Sequence, residues 1–498
     1  MEGNPSGEQA LAAYRERADR FQAELDERFY LHFGGIEPEL GLEPIYKRYS
    51  DLITLEQAHR LGELVDDDPR RRELWRFACE GYLGGVRRAE DERIAELEVG
   101  LTADLDGEQI AFRMLRPEIA NSADRHRRER LELLRNDLVA CELNPLLLQA
   151  RRSLQAAVRE LGSDTYLDLY ERFGFALEPL SRQCRSFLAE TESLYERSLE
   201  RLLAARLGLT LAEIARWDMP RLLRANDWDG AFPAGRMLSE LKALLAGLGI
   251  DLAGQKNVEI DLKQRPNKSP RAFCAPIEIP GRVVLVIKPI GGPDDWRALL
   301  HEAGHTEHFA HTDAKLPFED RRLGDNAVTE GWAYLFEHLI GSTAWLGRML
   351  DATSAESLAW ETAVHTLFFA RRYCAKLLYE LELHSDGDPG AMAPRYVELL
   401  RSATLIEPSA SDFLADVDEY FYCRSYVRAW AFEAQVRSYL RDRFGSNWFE
   451  RRDAGELLRE LWSQGQRLTA DEIVHELDGS RLDLGVLAAE LRETLDSP

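Results

Sequence analysis

Apolar residues recur every three to four positions through most of this 498-residue chain, while strand-like patterning is confined to short stretches before residue 300. That imbalance constrains the fold more than any other feature, because the two periods bury different faces. Residues 8–30, 126–162 and 181–207 read as long amphipathic helices, and 209–250 as short helices around Trp217 and Trp228. Asp68-Pro69 ahead of RRRELWRFACEGYLGG reads as an N-cap and first-turn proline, with the helix closing at the glycines. Pro145 predicts a break inside 126–162. Leu101–Leu115 reads as a hairpin, with Asp106-Gly107 as its turn and QIAFRML as its second arm. Val258–Lys263 is a further strand candidate, and Arg282–Lys288 is the strongest, closed by Gly291-Gly292-Pro293. After Trp296 the pattern is helical to the end. No linker or repeat divides the chain, so the expected fold is mostly α with a small antiparallel β element ahead of residue 300.

The length allows two to four domains or one large two-lobed body. With 45% hydrophobic and 30% charged residues the composition is that of an ordinary globular protein. Lys and Arg number 63 against 87 Asp and Glu, a formal charge of -24. Such a surface repels phosphate backbones, so nucleic acid is not an expected partner. The basic run Arg125–Arg130 lies in a mixed-charge helical stretch and reads as a solvated face. Apolar runs fall short of the ~20 residues a membrane helix needs, so no membrane span is expected. The start MEGNPSGEQALAAYRERADRF has no basic segment leading into an apolar one, which argues against a secretory signal and for a cytoplasmic location. Six scattered cysteines without a C-x-x-C pair fit reduced thiols.

The chemistry concentrates in Asp294–His338, DDWRALLHEAGHTEHFAHTDAKLPFEDRRLGDNAVTEGWAYLFEH. Four of the 11 histidines (His301, His305, His308 and His311) fall within eleven residues of it, a density that points to a metal. On a helix His301 and His305 project from one face and can share a Zn²⁺ ion. Glu302, next to the first of them, reaches a water beside the metal without being a ligand. The H-E-x-x-H arrangement therefore supplies two nitrogen ligands and a proton acceptor. The opposing reading is a solvated helix with incidental histidines. The apolar Leu299-Leu300, the strand before the motif and Gly304, which permits close approach, favour the metal.

Two residues compete for the third ligand position. His311 stands where the H-E-x-x-H-x-x-G-x-x-H pattern has its last histidine, but the eighth position, which needs glycine to turn the chain back, is His308. On a continuing helix His311 is rotated ~1000° from His301, ~80° short of three turns. Glu330, 25 residues after His305, opens a second helical pattern behind the loop signals Gly324-Asp325-Asn326. Two histidines from one helix, a glutamate from the next and an open fourth position make a catalytic zinc set, so Glu330 is preferred. Glu337, two turns on, faces the same way, either as a partner of a ligand or in a surface salt bridge. His308, seven residues after His301, either braces the site or packs against a neighbouring helix.

HEAGHTEH resembles the HEFGHALH signature of the thimet oligopeptidase and oligopeptidase F family of zinc peptidases, which are gluzincins. The resemblance includes the histidine three residues after the second ligand and the spacing to Glu330. Lys268-Ser-Pro-Arg-Ala-Phe-Cys274 is similar to the family's K-x-x-G-A-F-C stretch, with Arg271 in place of glycine. The resemblance covers residues 255–345 and extends over 405–465; over 1–200 it rests on helical character, and the chain is shorter than typical members. The angiotensin-converting-enzyme and carboxypeptidase Taq types share the ligands but match the flanks less well.

The resemblance implies a mostly helical, two-lobed ellipsoid split by a deep substrate channel. Residues 1–250 would form a helical lobe covering the channel, and 251–498 the catalytic lobe. One Zn²⁺ per chain would be held by His301, His305 and Glu330, with Glu302 as general base. The substrates would be short unfolded peptides, aligned on Arg282–Lys288 by strand addition. The family's oxyanion donors are tyrosines of a C-terminal helix, which correspond here to Tyr426 and Tyr422. That segment lacks the family's H-x-x-G-Y spelling, and packing in the core is the competing role for both. Arg424 is a candidate for a substrate carboxylate, and a monomer or homodimer is expected. Two rival readings use the same ligands: a non-catalytic, zinc-containing peptide-binding relative, and a hydrolase of non-peptide amides.

Overall fold

The computed structural model describes residues 5–496. About 70% of it is helical, with 21 α-helices and two small sheets among the described residues. The helix opened by Asp68-Pro69 runs from Pro69 to Gly100 and does not stop at Gly84-Gly85. Glycine costs a helix only about 1 kcal/mol, and here it makes room: a Cβ on Gly84 would lie 3.1 Å from the Tyr420 hydroxyl. The break expected at Pro145 is a π-helical turn, Val139–Leu143, between helices Arg125–Leu138 and Asn144–Glu160. Pro145 itself sits in the first turn of the latter, where its missing N–H has no intrahelical partner to lose.

The hairpin forms between Thr102–Leu105 and Glu108–Ala111. Asp106 (φ 60°) and Gly107 (φ 88°) make its two-residue turn, which needs left-handed backbone at both positions. The second arm stops at Ala111, short of the expected Leu115, because Phe112–Asn121 is a helix. Its Leu115 and Ile119, four residues apart, join Leu105, Ile110 and Leu131 in one cluster.

The second sheet contains Val258–Asp261, Phe273–Glu278 and Arg282–Val286, with the last of these in the centre. Arg282–Val286 pairs parallel with Val258–Asp261 and antiparallel with Phe273–Glu278. The β element is therefore mixed, only one of its two pairings being antiparallel. Its continuous apolar run is what a central strand requires. With both edges paired, Arg282–Val286 has none left for strand addition, so the alignment expected there does not occur on that strand. On this sheet the N-terminal helix Pro5–Phe33 places Tyr30 against Ala275, Ile277, Val284 and Val286. Helix Pro293–His311 packs against the same two strands.

The chain divides into two compact units, but not at residue 250. One gathers the chain up to Cys79, Asp227–Ala359 and Arg428–Leu487; the other gathers Glu80–Asn226, Trp360–Val427 and the chain from Ala488. Ion pairs tie the N-terminal helix into the first unit: Arg321 to Asp19 (2.6 Å), Arg322 to Asp26 (2.7 Å) and Arg282 to Glu27 (2.8 Å). In the second unit the hairpin cluster is joined by another around Tyr379, Tyr396, Leu400 and Leu414.

Candidate metal centre

Helix Pro293–His311 starts with proline in its first turn and with Asp294 and Asp295 beside the positive end of its dipole. Asp295 also accepts the N–H groups of Ile290 and Gly291, both at 2.8 Å, which fixes the entry of the chain. Trp296, Leu299, Leu300 and Ala303 are buried, leaving His301 and His305 for the neighbouring helix, Asn326–Glu337. That helix is capped by Asp325, which accepts from Ala327 N and is bonded by Arg428. The two helices meet at glycine: a Cβ on Gly304 would lie 2.5 Å from the Trp332 carbonyl and 2.6 Å from Ala333 Cα. Gly331 is equally required, since a Cβ there would run into the Phe432 ring.

This close approach brings Glu330 to the two histidines. Glu330 Oε2 lies 3.5 Å from His301 Nε2 and 3.7 Å from His305 Nε2, and the three ligand atoms all fall within 4.8 Å of one another. The other ring nitrogens are engaged: His301 Nδ1 with Glu337 Oε2 at 2.8 Å and His305 Nδ1 with Thr329 Oγ1 at 2.9 Å. A carboxylate only accepts, so in the neutral ring Nδ1 of His301 carries the hydrogen and Nε2 keeps its lone pair.

Glu302 is held from the sheet, its Oε2 accepting the Cys274 backbone N–H at 2.8 Å. Burial pushes Glu302 up to about 7, against the pull of His301 and of that N–H. Burial lowers His305 to about 4. Burial also pulls His301 down, but its hydrogen bonds to Glu330 and Glu337 raise it overall to about 10. Three carboxylates thus make the point between the rings favourable to positive charge.

The arrangement fits zinc. Two imidazole nitrogens and one carboxylate oxygen are a zinc donor set, and bonds of ~2.0–2.1 Å set tetrahedral ligand separations of about 3.3–3.4 Å, close to the two from Glu330 to the imidazoles. The set leaves a fourth position for a water or a substrate.

The remaining candidates have partners of their own. His311 bonds its own helix through the Glu307 carbonyl (2.9 Å) and lies against Trp462, so it is no alternative to Glu330. His308 is fully buried with Nε2 on the Gly465 carbonyl at 3.1 Å, and burial lowers it to about 3; it is a core residue. Lys268 serves the sheet, with Nζ on the Asp261 carbonyl at 2.6 Å. Arg424 donates from Nε to the Phe175 carbonyl at 2.9 Å, and its guanidinium lies over the Phe175 ring. Tyr422 and Tyr426 belong to the second unit, in a ring cluster with Tyr373. Thr329 and the Cys274 N–H escaped the sequence reading: the first adjoins Glu330 without a distinguishing pattern, and the second is backbone.

A second group of ligand-type atoms, on Glu380, Asp418 and Cys423, lies in the second unit. Lys376 already supplies its cation, with Nζ 2.8 Å from Asp418 and 3.9 Å from Glu380. No helix among the described residues is long and apolar enough to cross a membrane. Compared with protein-family models and with curated proteins, the chain finds no match.

Proposed function

We propose that this chain is a zinc-dependent peptidase that hydrolyses short unfolded peptides. The observation that carries the reading is the convergence of His301 Nε2, His305 Nε2 and Glu330 Oε2, with the carboxylate of Glu302 beside them. One zinc per chain would be held by those three residues. Bound there, it supplies the Lewis acidity that activates a water and polarises the scissile carbonyl.

The residues of the chain do the rest. Glu302 takes the proton of the attacking water on the oxygen that Cys274 does not occupy, then delivers it to the leaving amine. Burial raises this carboxyl, the direction that suits a group which must both take and return a proton. Glu337 and Thr329 keep the imidazoles oriented.

An extended peptide pairs with the edge strand Phe273–Glu278 instead of the central one. The Cys274 N–H points away from the sheet and onto Glu302, so this edge runs past the proton acceptor. The far part of the same edge is closed, since Arg322 bonds the Ile277 carbonyl and Arg321 the Ile279 carbonyl, each at 2.7 Å.

The test is mass spectrometry of a pool of ~5–20-residue peptides, at ~3.3 Å per extended residue, incubated with zinc-loaded protein and with Glu302→Gln. Internal cuts with the wild type and none with the variant are expected. Cleavage that survives Glu302→Gln, or no cleavage by fully zinc-loaded wild type, would overturn the reading.

A further inference from the structure

A second site lies in the second unit and is independent of the metal centre. It is a pocket of about 670 Å³ lined only by residues of that unit, within the ~300–1,000 Å³ typical of small-molecule sites. Part of the lining is apolar, from Met219, Leu223, Phe368 and Phe369, and Phe369 is 37% exposed. The lining also carries four cations and three carboxylates.

Each carboxylate already has its cation. Arg216 bonds Glu132, Arg372 bonds Asp416 at 2.6 Å, and Lys376 lies 2.8 Å from Asp418. Arg116, the fourth cation, makes no hydrogen bond or ion pair among the described residues, and it is exposed at the pocket. Burial, with Arg135 and Arg216 nearby, lowers its pKa from the ordinary arginine value, against the pull of Asp412 and Asp416. An arriving anion would find a guanidinium with all its donors available. A pocket lined by one cation without a paired carboxylate and by two phenylalanines is complementary to a molecule with one negative group and an apolar body.

We propose that this pocket binds a small amphiphilic monocarboxylate, with Arg116 pairing the carboxylate and Phe368 and Phe369 covering an apolar body of one or two rings or an equivalent alkyl chain. The carboxylate could come from a free acid or from the C-terminal residue of a peptide, and the chemistry at Arg116 is the same for both.

The test is calorimetric titration of the full zinc-loaded chain with 4-phenylbutyrate and with N-acetyl-Gly-Phe, each beside its neutral amide. Both acids should bind with dissociation constants on the order of 0.1–1 mM, and the amides at least tenfold more weakly. Whichever acid binds more tightly identifies the source. Arg116→Gln, which breaks no ion pair, should bring the acids down to the level of the amides. Phe369→Ser should weaken acids and amides alike. His305→Ala, which removes a metal ligand, should leave the acids' affinity unchanged and so separates this site from the metal centre. Equal binding of acid and amide, undiminished acid binding by Arg116→Gln, loss of binding in His305→Ala, or no heat from either acid would each overturn the assignment.

Discussion

Glu337 Oε2 accepts a hydrogen bond from His301 Nδ1 at 2.8 Å, from a position two helical turns beyond Glu330 on the same helix. One helix thus supplies both a ligand-type carboxylate and the group that orients an imidazole of the other helix. Removing such an orienting partner typically costs 10–100-fold in metal affinity. Glu337→Ala is expected to lose zinc affinity by about that factor in a chelator competition, and Glu337→Gln, which keeps an acceptor, by less. Unchanged affinity in Glu337→Ala would show that the contact does not hold the ring.

Glycine at 304 sets the distance between the two helices. A methyl group there would meet the Trp332 carbonyl and Ala333 Cα at 2.5 and 2.6 Å, and backbone cannot swing aside as a side chain can. Gly304→Ala should therefore destabilise the fold by about 1–3 kcal/mol, the usual cost of overpacking. It should also weaken zinc binding, because Glu330 moves with its helix. Urea denaturation and zinc titration of the same variant check both; full zinc affinity would contradict the link between packing and site.

Glu380 gives the second unit a pH-dependent stability. Burial pushes it up to about 8 from its ordinary 4.5, Asp418 adds to this, and Lys376, the N–H of Asp418 and Arg151 oppose it. Cys423 is the remaining neighbour in the cluster. The folded state binds this proton more tightly than the unfolded chain. Its contribution to stability is therefore complete below the ordinary glutamate range and is lost as pH rises through 8. Between those limits the slope approaches 1.4 kcal/mol per pH unit. Glu380→Gln retains an oxygen to accept the Asp418 N–H and cannot ionise. Its stability should fall less than that of wild type between pH 5.5 and 8; equal slopes would contradict the assignment.

The parts of this account that the sequence carried are those set by helical period. His301, His305, Glu302 and Glu330 lie on helices whose faces follow from spacing, and so does the exclusion of His311. The same reasoning placed His308 on the metal side, but i+7 fixes only a direction, and Gly465 had already occupied that direction. Pairing order was not legible. Nothing in Arg282–Lys288 says that Val258–Asp261 lies parallel to it, because the partner is chosen by tertiary packing. Gly84-Gly85 reads as a helix stop until the approach of Tyr420 is known. The contacts from Cys274 N–H and Thr329 depend on distances between segments that no local pattern encodes.

Zinc content tests the central claim most directly. The chain is stripped with a chelator, reloaded with Zn²⁺, desalted and measured for metal per chain, beside His305→Ala, Glu330→Ala and His311→Ala. The account predicts one zinc per chain in the wild type and in His311→Ala, and less than about a tenth in the other two, because a two-ligand remnant does not retain the ion. Full zinc in Glu330→Ala, or its loss in His311→Ala, would contradict it.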